Sequence, residues 1–201
     1  MWKWLGILCI ASAIQINAET NVLAFAGSTR EDSLNKKLIK EAGNIARELG
    51  ANVTVIDLRD FPMPFYDGDL EAAEGMPENA KKLRQLMIQS QVILIATPVY
   101  NHSIPAVLKN ALDWVSRSEQ AGRSREAFQG KKIAIMSASP GKTGGANALI
   151  HLRDILADQR AIIITQQVSV PDANNAFDEE GRLKNPQIKA DLQQLIQEVL
   201  K

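Results

Sequence analysis

The sequence predicts a parallel α/β domain on three observations: five short apolar runs rich in β-branched residues, helical patterns between them, and polar loops after the first, third and fourth runs. The runs are Val22–Ala26, Val53–Ile56, Val92–Ala96, Ile133–Met136 and Ala161–Ile164. They are continuous rather than alternating, as expected of parallel strands covered on both faces.

The helices are justified by their apolar steps. After Ser103, the residues Ile104, Val107, Leu108, Ala111, Leu112 and Val115 keep intervals of three and four, with Pro105 in the first turn. Trp114 falls off that stripe and is expected at a subunit interface, with burial against a neighbouring loop as the alternative. Further helices are predicted over Leu34–Leu49, Pro77–Gln89, Ala146–Ala157 and Pro186–Leu200. Two irregular stretches, Arg59–Met76 and Pro171–Asn185, read as surface loops, the first a candidate for substrate contact.

The chain of 201 residues suits one domain, residues 19–201, behind an N-terminal leader. Residues 1–18 read as a secretory signal. The apolar run Leu5–Ile14 follows Lys3, is shorter than the roughly 20 residues of a membrane span, and precedes Ala18, a small residue suited to cleavage. Cleavage would place the protein in the periplasm or outside the cell, and retention of the segment in the cytoplasm. It would also remove Cys9, leaving no thiol, and Lys3, leaving 22 basic residues from 23, against 23 acidic ones. Basic and acidic residues balance and no basic stretch occurs, which argues against nucleic acid as a partner.

In open parallel sheets, ligands bind outside the carboxyl ends of the strands where strand order reverses; for order 2-1-3-4-5 that point lies between strands one and three. The first loop, Gly27–Asn35, combines the hydroxyls of Ser28 and Ser33, the Arg30 guanidinium, the Asn35 amide and the free N–H groups of a helix start, all phosphate-binding parts. Lys36 and Lys37 follow in the first helical turn, where the macrodipole disfavours cations unless an anion offsets them. An ordinary N-cap at Ser33 with solvated lysines is the rival reading. Neither a dinucleotide GxGxxG nor a P-loop is present.

The second loop, Thr97–Ser103, places Pro98, Val99, Tyr100 and Asn101 at a strand end, where a flat ring can lie; turn and packing roles are the alternative. The third, Ser137–Gly145, contains Ser139 and Gly144 among small residues that allow close approach to the backbone, and otherwise reads as a flexible connector. His102 and His151 are scattered, read as structural or exposed, and form no metal site.

Gly27-Ser28-x-Arg30-x-x-Ser33-x-Asn35, the stretch from Pro98 and Tyr100-Asn101 through Ser103 and Pro105 to Leu108-Lys109-Asn110-Ala111-Leu112-Asp113-Trp114, and Ser137-x-Ser139 with Gly144-Gly145 closely resemble the NADPH-dependent FMN reductase family over residues 21–200. The resemblance implies a flavodoxin-like three-layer sandwich with a five-stranded parallel sheet in the order 2-1-3-4-5. It also implies bound FMN, with the phosphate on Ser28, Arg30, Ser33 and Asn35 and the ring beside Pro98, Val99, Tyr100, Asn101 and Ser103, completed by Ser137, Ser139 and Gly144. Many members carry Glu at the position of Val99, a change that bears on substrate preference. The implied activity is hydride transfer from NAD(P)H through FMN to a quinone, flavin or similar acceptor. The flavin would carry the chemistry, with no catalytic side chain and a homodimer or homotetramer as the assembly. A flavodoxin-type electron carrier is the alternative, disfavoured by the neutral charge and the lack of a Thr-rich loop. A flavin-free interaction domain would require all three motifs to be accidental.

Overall fold

Residues 19–201 are described by a computed structural model; the expected signal over residues 1–18, with Lys3 and Cys9, lies outside them. Strand β1 (Asn21–Ala26) pairs in parallel with β2 (Asn52–Asp57) on one side and β3 (Val92–Ala96) on the other; β3 pairs with β4 (Lys132–Ala138). The fifth position is split between two short segments, β5 (Ile162–Ile163) and β6 (Val168–Val170), which pair with successive halves of β4. The order β2-β1-β3-β4-β5 is the flavodoxin-like arrangement expected from the sequence, with β6 added beside β4.

Strand alternation sorts the core into two faces. Val22, Ala24, Ala26, Leu94, Ala96, Ala134 and Ala138 pack with α1 (Leu34–Glu48) and the closing helix Pro186–Leu200. Leu23, Phe25, Ile93, Ile95, Ile133 and Ile135 pack on the other face against α3 (Glu78–Gln89), α4 (Ala106–Val115) and α5 (Ala146–Asp158), so the closing helix is α6. Near the carboxyl edge, the α1 face is paved with alanines at 26, 96 and 138. That lets the first turn of α1 settle close to the strand ends.

The stretch Arg59–Met76 is not irregular throughout. A 3-10 turn (Leu58–Asp60) ends β2, and Asp67 caps helix α2 (Gly68–Glu74) by accepting from the N–H groups of Asp69 and Leu70. This segment covers Trp114, which is fully buried with Met76 and Ala80, meets Tyr66 edge-on at 5.1 Å, and donates from Nε1 to the Pro64 carbonyl at 2.8 Å. The interface role expected for Trp114 is therefore corrected: the loop of its own chain occupies that face. The indole sits off the helical stripe because α4 packs on two sides, the sheet and this loop.

Glu71 fastens the segment. Its carboxylate accepts from Arg117 Nε at 2.9 and 3.0 Å and from the Tyr66 hydroxyl at 3.0 Å, while Arg117 lies 5.5 Å from the Tyr66 ring centroid. The bond from Arg117 holds the Glu71 carboxyl below the usual range despite burial. Such a group contributes stability that is complete above the ordinary glutamate range and lost as pH falls through the lowered folded value. Glu71→Gln should therefore lower the thermal midpoint at neutral pH and flatten its decline in acid. Identical melting-versus-pH curves for the two proteins would refute the role of this contact.

Candidate functional site

Four chain segments converge beyond the carboxyl edge of β1, β3, β4 and β6. They enclose an open cleft of about 150 Å³ lined by Ser28, Arg30, Ser33, Asn35, Pro98, Val99, Tyr100 and Ser139 among others. Eight of the expected site residues thus meet at the predicted switch point; Asn101, Ser103, Ser137 and Gly144 do not line the cleft.

The first segment leaves β1 at Gly27, whose N–H donates to the Ala96 carbonyl at 2.8 Å. A Cβ there would fall 2.7 Å from Leu108 Cδ2, so glycine lets α4 close against the loop. Ser33 is the N-cap residue of α1, yet its hydroxyl makes no cap hydrogen bond, and the first turn carries no acidic residue. The N-terminal N–H groups of a helix normally find such a partner. Here Ser28, Ser33 and Arg30, which has no ion-pair partner among the described residues, surround that helix end. Hydroxyls, a free guanidinium and a helix N-terminus form an anion receptor.

Asn35 has a different task. Its side chain donates to the Ala138 carbonyl at 2.9 Å and accepts from the Ala138 N–H at 2.8 Å, both bonds buried. It locks α1 to the end of β4. The lysines that follow are also engaged: Lys36 pairs with Asp57 at 2.6 Å and Lys37 with Asp32 at 2.9 Å. The anion that offsets them is thus supplied by carboxylates of this chain, and the lysines are paired rather than solvated. Burial opposes ionisation of Asp57, but Lys36 and the Arg59 N–H hold its carboxyl below the usual range.

The second segment turns back through a tight hairpin, in which Tyr100 and Ser103 exchange N–H···O bonds of 2.9 and 3.0 Å. Its central residues, Asn101 and His102, have φ of 48° and 65°. This is the backbone of a two-residue type I′ turn. From α5, Asn147 meets His102 Nδ1 at 2.7 Å and His151 Nδ1 meets the Ser103 hydroxyl at 2.9 Å. The two histidines are thus tied to the turn, and Tyr100 is held half-exposed at the mouth of the cleft.

In the third segment β4 runs on to Ala138, so Ser137 is a strand residue, wholly buried, and its hydroxyl has no hydrogen-bond partner among the described residues. A Cβ on Gly145 would lie 2.0 Å from that oxygen and 3.5 Å from Val99 Cγ1. Gly144, at φ 60°, would place a Cβ 2.7 Å from the Val170 carbonyl carbon. The glycines thus admit neighbouring protein, joining the loops after β3, β4 and β6. The sequence reading missed Asn174, which lines the cleft from the segment after β6. Its only signal was the short Val-Ser-Val run preceding that loop.

The residues present fit FMN: the open donors at the start of α1 suit its phosphate, and Tyr100 and Pro98 border the space beside it. Because Asn35 positions the receptor, Asn35→Ala should leave the buried N–H and C=O of Ala138 unpaired and cost about 2–4 kcal/mol. Urea denaturation of the flavin-free protein measures this directly. An unchanged midpoint would show that the clip is dispensable.

A family model described as NADPH-dependent FMN reductase matches residues 20–175. An NAD(P)H-dependent FMN reductase of Pseudomonas aeruginosa is 34% identical over 180 residues, covering 89% of this chain and 92% of that protein. A quinone reductase of Escherichia coli K12 is 32% identical over 154 residues, covering 75% and 77%. Among solved structures, the flavoenzyme NAD(P)H:(acceptor) oxidoreductase FerB of Paracoccus denitrificans superposes with a TM-score of 0.75 at 27% identity, covering 90% of this chain and 95% of that one. With the sheet order and the convergent loops, these similarities establish that the chain belongs to the NADPH-dependent FMN reductase family.

Proposed function

We propose that the chain is an FMN-dependent NAD(P)H oxidoreductase that reduces a quinone, a flavin or a similar small acceptor, with the FMN held in the cleft at the end of β1, β3 and β4. The observation that carries this reading is the open end of α1, where Ser33 leaves its own helix uncapped while Ser28 and Arg30 stand beside it. Bound FMN would supply the hydride-accepting and hydride-donating chemistry. The chain's own residues do the holding. Arg30 and the α1 N-terminus fix the phosphate, the Asn101-His102 turn keeps Tyr100 beside the ring, and the close packing of Gly144 and Gly145 against Val170 and Ser137 keeps the loops from shifting. Val99, where many family members have Glu, contacts the Gly145 position with an apolar side chain, so the acceptor meets a less charged wall.

Arg30→Ala should weaken FMN binding about tenfold to a hundredfold, the equivalent of one charge-assisted hydrogen bond of about 1.5–3 kcal/mol. Flavin fluorescence quenching reads the loss. Wild-type protein that takes up no flavin would overturn the reading altogether. A yellow protein that oxidises neither NADPH nor NADH with any quinone or flavin acceptor would point to an electron carrier instead.

Residues 1–18 are proposed as a secretory signal, on the apolar run between Lys3 and Ala18. N-terminal sequencing of the native protein should begin at Glu19; a native chain that begins at Met1 would place the enzyme with the nicotinamide pool of the cytoplasm. Assembly into a dimer or tetramer is supported by the family resemblance, no longer by Trp114.

A further inference from the structure

A separate pocket, of about 280 Å³, opens between α4 and the segment that follows β2, and shares no lining residue with the cleft at the α1 N-terminus. Leu58, Phe61 and Met63 wall one side; Val107 and Ala111, one helical turn apart, wall the other. Small-molecule sites span about 300–1,000 Å³, so this one suits a single ring. Its walls are fixed from two helices. Asn79 of α3 donates to the Pro62 carbonyl at 2.9 Å, while Asn110 of α4 donates to the Pro64 carbonyl at 2.9 Å and accepts from the Tyr66 N–H at 2.7 Å. The chain on either side of Met63 is thereby held in place.

The polar side of the pocket carries one sign of charge. Arg59 is the sole charged residue of the lining among the described residues; the carboxylates of Asp57 and Asp60 line the neighbouring space beside α1 instead. Asp57 engages one edge of Arg59 only, accepting from its main-chain N–H at 2.9 Å and from Nε at 3.4 Å. That carboxylate also serves Lys36, at 2.6 Å, so one acid is shared between two cations. The two Arg59 Nη atoms have no hydrogen-bond partner among the described residues. Such a pair of parallel N–H groups matches a carboxylate bidentately. Thr29 adds an exposed hydroxyl, whereas the Asn110 amide is spent on Pro64 and Tyr66. Opposite this cation and hydroxyl, Phe61 and Met63 offer a ring and a thioether, both favourable partners for an aromatic group.

We propose that this pocket binds a small aromatic carboxylate, with the ring against Phe61, Met63 and Val107 and the carboxylate on the Arg59 Nη atoms and the Thr29 hydroxyl. Thr29 stands between Ser28 and Arg30, so the occupant touches the loop that borders the flavin cleft without entering that cleft. The site is independent of the oxidoreductase reading, and its test needs no turnover.

Calorimetric titration of the full-length protein, as purified, with benzoate, benzamide and acetate measures it. Benzoate should bind about tenfold or more tightly than benzamide, which keeps the ring and loses the charge. Acetate, which keeps the charge and lacks the ring, should be weaker by about tenfold as well. Arg59→Gln removes an exposed charge and keeps the main-chain bond to Asp57, so the fold should persist while the preference for benzoate over benzamide disappears. Arg30→Ala, in the flavin cleft, should leave that preference unchanged. In protein labelled with methyl-13C methionine, benzoate should shift the Met63 resonance and leave those of the buried Met87 and Met136 in place. Benzoate that binds no better than benzamide or acetate, a preference that survives in Arg59→Gln or is lost in Arg30→Ala, or an unmoved Met63 methyl would overturn the proposal.

Discussion

Asn35 joins the first turn of α1 to the last residue of β4 through a buried amide that both donates to and accepts from Ala138. The positions it links are 103 residues apart in sequence. A main-chain group at a strand end must be paired when it is buried. Here a side chain does the pairing, and in doing so fixes where a helix N-terminus points. The small alanines at 26, 96 and 138 on this face make the approach possible, because larger side chains would hold α1 away from the strand ends. The open donors at the start of α1 and the cleft they border depend on that placement.

The remaining loops are fixed by local means of the same kind. The turn at Asn101-His102 adopts two positive φ angles and is tied from α5 by Asn147 and His151, residues four apart on one helix face. Gly144 and Gly145 sit where any Cβ would strike β6 or Ser137. Each loop is thus anchored to an element other than the strand that launches it. That gives the crevice walls fixed before any ligand arrives, the condition for binding without a large ordering cost.

Much of this frame was legible in the sequence, because buried parallel strands must be continuously apolar and the helices between them must carry a stripe. The apolar runs located all but one of the strand segments, and polar ends such as Asn52, Asp57 and Lys132 account for their longer observed limits. β6 escaped notice because three residues, Val-Ser-Val, are too few to set a period, and α2 because its sequence is dominated by Asp, Glu, Ala and Gly rather than by a stripe. Trp114 was misplaced for a related reason: a helical wheel shows one apolar face, and only tertiary structure reveals that a loop covers a second. At the site, residues contiguous in the motifs were legible as a group. Asn174 and the tie between His151 and Ser103 were not, since their meaning lies in contacts between segments distant in sequence.

The lysines at the start of α1 show why those contacts matter to the chemistry. Cations in a first turn are disfavoured by the helix dipole, and a carboxylate paired with each offsets that cost. Asp57 and Asp32 supply those carboxylates by pairing Lys36 and Lys37. The first turn itself carries no acid, the Ser33 hydroxyl is uncommitted and Arg30 stands free of ion pairs among the described residues. The same helix end therefore combines open donors at Ser33 and Arg30 with lysines already balanced by carboxylates. A helix terminus carrying Lys36 and Lys37 is consistent with a cofactor phosphate beside it because the two demands are met by different groups.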